Sequence, residues 1–195
     1  MHRDLKVAQQ GDQPPLIVSV VGWQDTGKTQ LVSLMVAAFT ELGYTVAAIK
    51  HDGHADKRQT DDWEKPNSDT QRFTAAGAKY TVIAGGGSSL VRFNRDVEQH
   101  SIESLCERLV AIARFQREKL DVIVVEGYKD SDLPKLVVVR TRRDEEWLDT
   151  SPVTNIAGVV CFNDCVSLAH LDYPVYHEND IIKLCMDLLD SLIEK

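Results

Sequence analysis

The sequence predicts an α/β fold, with helices on both faces of a mostly parallel β-sheet. Three observations carry that reading. Apolar runs at residues 16–21, 121–125 and 156–162 look like strands buried on both faces. Stretches with apolar residues at helical spacing, such as Leu31, Leu34, Met35, Ala38 and Leu42, alternate with them. The first run also leads straight into Gly22-Trp23-Gln24-Asp25-Thr26-Gly27-Lys28-Thr29, a full match to G-x-x-x-x-G-K-[ST]. Strand, glycine-rich loop and helix in that order predict a P-loop NTPase three-layer sandwich.

Each element has its own signal. Residues 16–21 form the first strand, and Gly43 ends the helix that follows the loop. Residues 44–49 form a second strand, followed by a long polar stretch to Ser68. Ser68 or Asp69 caps a short helix through Ala76. Residues 79–84 and 89–93, joined by Gly85-Gly86-Gly87-Ser88, predict a β-hairpin extension. Ser101 opens a helix whose buried face is expected at Ile102, Leu105, Leu109, Ile112 and Ala113. Further strands are expected at 121–125, 135–140, 156–162 and 174–176, with a last helix over 179–193. Residues 140–149, where acids and bases interleave, read as a solvated connector.

Composition narrows the class. The 195 residues suit one nucleotide-binding domain over 1–195, with residues 1–15 as a flexible lead-in. A net charge of −8 argues against a nucleic-acid partner. No apolar run is long enough for a membrane span and the N-terminus lacks a signal-peptide core, so a cytoplasmic location is expected. Cys106 and Cys185 fall on apolar helical stretches and are expected to pack as small hydrophobes. Cys161 and Cys165 have a loose metal-like spacing.

The chemistry centres on the loop. Successive backbone N–H groups and the helix N-terminus make an anion cradle. Gly22, Asp25, Thr26, Gly27, Lys28, Thr29 and Gln30 are therefore the candidate phosphate-binding residues, with Lys28 toward the β- and γ-phosphates and Thr29 toward Mg²⁺. Asp25 would set a carboxylate beside the phosphate unless it points outward. Metal and catalytic candidates are Asp52, past the second strand, and Glu126, ending the run 121–125. Glu126 is the best candidate for the acid, the alternative being a plain strand-end acid with no role. His51 and His54 bracket Asp52 as metal or oxyanion ligands, or as solvated side chains. Lys50 can reach a phosphate as a point charge. Arg72 can offer a phosphate its charge, in cis or across a dimer, or can pair with Asp69. Asn163-Asp164 can read a guanine or cap a turn. The three glycines 85–87 can admit a ligand or only turn the hairpin.

Four segments together are more specific than the loop alone: GWQDTGKTQL from Gly22, IKHDGH from Ile49, DTQRFTAAGA from Asp69 and VEGYKDSDLPKL from Val125. In order and spacing the chain resembles the MobB family of molybdopterin-guanine dinucleotide biosynthesis adaptors, over residues 16–164. The resemblance implies a homodimeric GTP-binding protein with weak GTPase activity, using GTP and Mg²⁺. It also implies work beside the guanylyltransferase that attaches GMP to molybdopterin, with molybdopterin itself a candidate contact. Gly22, Gly27, Lys28 and Thr29 match the family's phosphate loop, and Asp52 and Glu126 its acids near the metal. His51, Arg72 and Lys129 match further motif positions. Two alternatives stay open: a small-molecule kinase on the same loop, and a binding module that holds nucleotide without turning it over.

Overall fold

The structure, a computed structural model, describes residues 13–51, 68–93, 101–163, 168 and 171–191. The chain divides into two compact units, one of residues 1–51 and 102–195 and one of residues 52–101.

The first unit is built on a six-stranded sheet of β1 (Leu16–Val21), β2 (Val46–Lys50), β5 (Val122–Glu126), β6 (Lys135–Val139), β7 (Ile156–Cys161) and β8 (Val175–His177). Its order is β2-β5-β1-β6-β7-β8, and every pairing is parallel. Parallel strands carry helices on both faces, and so read as unbroken apolar runs. The helices α1 (Lys28–Glu41) and α5 (Ile181–Asp190) cover one face. There Leu31, Met35 and Phe39 of α1 and Leu184 and Leu188 of α5 pack on Val18, Val20, Val124 and Val138. Each such side chain contributes about 1.5–3 kcal/mol when fully buried. The other face carries α3 (Ile102–Phe115) and α4 (Arg142–Thr150), over Ile123 and Val125 and over Val137, Val139 and Val159 respectively. The outcome is the three-layer α/β sandwich expected from the sequence.

Three local expectations fail. The buried stripe of α3 runs through Ile102 and Cys106 with Leu109, Val110 and Ala113 partly buried, while Ile112 is exposed. Cys106 supplies the apolar contact one turn after Ile102, and this rotates the stripe away from Ile112. Residues 142–150 are also a helix, not a solvated connector. The Asp144 carboxylate accepts from the Arg140 N–H (3.1 Å), the Thr141 N–H (2.8 Å) and the Thr141 hydroxyl (2.9 Å), which nucleates α4. Leu148 and Trp147 then bury its inner face. The last helix starts later than expected, after a 3-10 turn at Glu178–Asp180. Cys106 and Cys185 are buried free thiols in apolar surroundings, as expected.

The second unit holds α2 (Asp69–Ala75), capped by the Ser68 hydroxyl, and the antiparallel hairpin of β3 (Tyr80–Gly85) and β4 (Ser88–Phe93). Gly86 and Gly87 have φ of 60° and 82°, the two left-handed residues that a tight hairpin turn needs. A Cβ on any of glycines 85–87 would meet nothing within 4 Å, which fits the turn reading and gives no close approach. The hairpin exposes Tyr80, Val82, Ile83, Leu90 and Val91, each 44–63% accessible. Among the described residues no helix is long and apolar enough to cross a membrane.

Asp144 gives the first test. It is only 4% exposed and serves three donors. Asp144→Ala is expected to lower stability by about 2 kcal/mol, because lost caps and orphaned buried donors cost that much. The midpoint of urea unfolding reads this, and an unchanged midpoint would remove Asp144 as the anchor of α4.

Candidate functional site

The order of the sheet sets the site. β1 lies between β5 and β6, and chain connections leave it in opposite directions, so a crevice opens past its carboxyl end. The loop Gly22–Gly27 fills that place and hands over to α1. Gly22, at φ 153°, cannot carry a side chain, because a Cβ there would sit 2.8 Å from the Val138 carbonyl oxygen. Gly27, at φ 101°, caps α1. The loop is braced from inside by buried Thr26, whose hydroxyl donates to the Trp23 carbonyl at 3.1 Å. The Lys28 ammonium donates to the same carbonyl at 2.5 Å.

Asp25 is exposed with φ 60°, a left-handed conformation that Asp tolerates better than most residues. Its place in the loop is thus a backbone matter, and its carboxylate acts electrostatically on Lys28. The N–H groups of Lys28, Thr29 and Gln30 begin the helix, ahead of the first bond from Leu31 N–H to the Gly27 carbonyl at 2.9 Å. No acid occupies the first turn. An anion is the natural complement of such an end.

Glu126 ends β5 beside this turn and is 8% exposed. Its Oε2 accepts from the Thr29 hydroxyl at 2.8 Å and its Oε1 pairs with the Lys50 ammonium at 2.6 Å. Lys50 also lies 3.3 Å from the Thr29 hydroxyl. Lys50 and Glu126 are register partners at the ends of β2 and β5, so backbone pairing alone brings them together. Burial lowers the pKa of Lys28 below the ordinary lysine value, against the opposing charges of Glu126 and Asp25.

The segment after Glu126 is tightly held. Gly127 and Tyr128 are both left-handed, at φ 100° and 54°. The buried Ser19 hydroxyl donates to the Gly127 carbonyl at 2.5 Å, and the His51 N–H to the Glu126 carbonyl at 2.9 Å. The His51 ring lies against Tyr128, with ring centres 4.6 Å apart. Fully buried Lys135 caps the turn from below, donating to the carbonyls of Ser131 and Leu133, and burial lowers its pKa.

The expected site residues therefore divide. Gly22, Thr26, Gly27, Lys28, Thr29, Gln30 and Glu126 gather at the head of β1 and α1. His51 sits against Tyr128, and Lys129 is exposed in the turn beyond Glu126. Arg72 belongs to α2 of the second unit. Asp52, His54, Cys165 and Asp164 lie outside the described residues, while Asn163 follows β7 at φ 75°. Reading the sequence missed the Lys50–Glu126 pair, since nothing local says that β2 pairs with β5. It also set Arg140 aside as part of a connector, although that residue directly follows the strand beside β1.

Among the described residues no cluster of three or more His, Cys, Asp or Glu is placed to hold a metal. The oxygen donors that fit a hard cation are Thr29 and Glu126, and such a cation completes its shell with phosphate oxygens and water.

A family model described as "Molybdopterin guanine dinucleotide synthesis protein B", MobB, matches residues 17–162. A probable molybdopterin-guanine dinucleotide biosynthesis adapter protein of Bacillus subtilis is 30% identical over 168 residues, covering 86% of this chain and 88% of the relative. The adapter protein of Escherichia coli is 29% identical over 160 residues, covering 80% and 85%. The crystal structure of Bacillus subtilis MobB superposes with a TM-score of 0.64 at 27% identity, covering 90% of this chain and 96% of that one.

Gly127 supplies the test of this geometry. A Cβ there would lie 2.9 Å from the His51 Cβ, at a backbone φ of 100°. Gly127→Ala is expected to cost about 1–3 kcal/mol through strain and displacement. Thermal unfolding measures it, and a variant as stable as the parent would show that the turn is slack.

Proposed function

The chain belongs to the MobB family, and on that premise we propose that it is a GTP-binding adaptor with weak GTPase activity in molybdopterin-guanine dinucleotide biosynthesis. The observation that carries this is the meeting of Thr29 and Glu126 at 2.8 Å in front of the α1 N-terminus. A hydroxyl and a carboxylate from segments 97 residues apart join where the motif needs its Mg²⁺ ligands.

In this reading the loop N–H groups and the α1 terminus hold the phosphates. Lys28 exchanges the Trp23 carbonyl for phosphate oxygens. Mg²⁺, when bound, neutralises the developing charge between phosphates. Thr29 and Glu126 would hold such a cation and its water shell, with Lys50 as the counter-charge of Glu126. Asp52, two residues past Lys50, is assigned the orientation of water on sequence position alone. His51, whose ring lies against Tyr128, and Lys129 are candidates for nucleotide contact, and Arg72 is one on its sequence position alone. Guanine selectivity is assigned to Asn163 and Asp164, past the end of β7.

The adaptor partner is the guanylyltransferase of the pathway, with molybdopterin as a further candidate contact. A homodimer is proposed from the hairpin: a two-stranded ribbon with five exposed apolar side chains is marginal alone and gains from a second copy. A kinase would need a mobile lid rich in Arg; the candidates Arg140, Arg142 and Arg143 instead follow β6 and lie on α4, a helix packed on the sheet, which favours the adaptor reading.

Competition of GTP and ATP for one fluorescent guanine analogue tests the binding claim. GTP is expected to win by at least about tenfold, a difference of about 1.4 kcal/mol. Lys28→Ala and Glu126→Gln are each expected to lower GTP hydrolysis by about 10²-fold or more. Unchanged hydrolysis in both variants would leave the non-hydrolysing binding module as the better reading.

A further inference from the structure

The two flanks of the phosphate loop differ in charge. On one side of β1, β5 ends in the acid Glu126. On the other, β6 ends at Val139 and Arg140 follows at once. The guanidinium of Arg140 comes down on the glycine that closes the loop, so near that a Cβ built on Gly27 would lie 2.8 Å from its Nη2. Nη2 donates to Gln30 Oε1 at 2.8 Å, in the first turn of α1. The guanidinium also lies over the Phe162 ring at 5.3 Å, and its Nε is buried without a hydrogen-bond partner. Among the described residues no carboxylate pairs with this guanidinium.

A half-buried cation with a neutral amide as partner and one orphaned donor is poorly compensated. Its natural complement is an anion, and a planar fork suits a phosphate. The position along the motif says which phosphate. Lys28 and Thr29 serve the β- and γ-phosphates and the metal. Gln30 is one residue further from the metal, and Arg140 stands on the flank opposite Glu126. We infer that Arg140 takes the α-phosphate of the bound nucleotide, exchanging Gln30 for a phosphate oxygen. Arg140 thereby fixes the direction of the ligand, with the γ-phosphate and metal toward β5 and the nucleoside toward β6 and β7. Phe162, next to Asn163, then holds the guanidinium from behind.

This inference rests on the nucleotide-binding reading above, and the test separates the two. Affinities for GTP and GDP are measured by titration calorimetry on the full chain with Mg²⁺, for the parent, Arg140→Gln and Arg140→Lys. With GMP titrated as well, Arg140→Gln is expected to weaken GTP, GDP and GMP by the same factor, about 10- to 100-fold, because all three carry the α-phosphate; unchanged GMP affinity would move Arg140 to the β-phosphate and overturn the inference. Arg140→Lys is expected to recover part of the loss for each, since it restores the charge and not the fork. A role confined to bracing Gly27 and Gln30 would lower the unfolding midpoints of the free variants together with affinity, so equal weakening with parent-like midpoints is the expected result and equal weakening with lowered midpoints would overturn the inference. Loss confined to GTP would move Arg140 to the γ-phosphate and overturn the inference, as would parent-like affinity in both variants. A parent chain that binds neither nucleotide would instead bring down the nucleotide reading itself.

Discussion

Parallel pairing of β5 and β2 is what places a charged cluster at the head of the sheet. The register aligns Val20 with Glu126 and Glu126 with Lys50. A carboxylate, an ammonium and the Thr29 hydroxyl then meet without any loop having to fold around them. The Glu126 side chain is nearly buried, and a buried carboxylate needs partners. It has them from β2 and from α1, so the ion pair also ties the phosphate loop to two strands. Ser19, Gly127 and Lys135 work beneath it, fixing the turn that carries Glu126.

The same topology gives the loop two unlike sides. The acid Glu126, paired with Lys50, stands on the β5 flank, and guanidinium groups stand on the β6 flank, where Arg140 leans on Gly27 and Arg143 lies over the Trp23 ring at 5.4 Å. Trp23 in turn meets Trp147 edge to face at 6.3 Å. The helix α4 is therefore coupled to the loop through Trp23 and to β6 through Asp144. A protein proposed to work as an adaptor has in α4 an element that touches its loop directly, so a change in the loop has a short path to the surface.

The strands and the loop were legible in the sequence because each is a local pattern. An apolar run bounded by polar residues marks a doubly covered parallel strand, and the spacing of Gly22, Gly27, Lys28 and Thr29 is itself the cradle. The hairpin was legible for the same reason, through its glycines. What escaped was non-local. Lys50 belongs to the cluster only because β2 lies one strand away from β1, on the far side of β5, and Arg140 only because β6 lies on β1's other side. The helix α4 was hidden because its charges resemble a solvated segment, and the Asp144 cap acts through three donors that sequence spacing alone does not weigh. Asp25 stands in the loop because the position is left-handed, a conformation Asp tolerates, and its charge acts on Lys28.

The most direct measurement is a crystal structure of the chain with Mg²⁺ and a non-hydrolysable GTP analogue. Expected is the analogue in the Gly22–Thr29 loop, with the Thr29 hydroxyl moved from Glu126 to the cation and the Lys28 ammonium moved from the Trp23 carbonyl to the phosphates. A loop that keeps both of its present bonds, with the analogue bound elsewhere or absent at saturating concentration, would contradict the proposed role of this site.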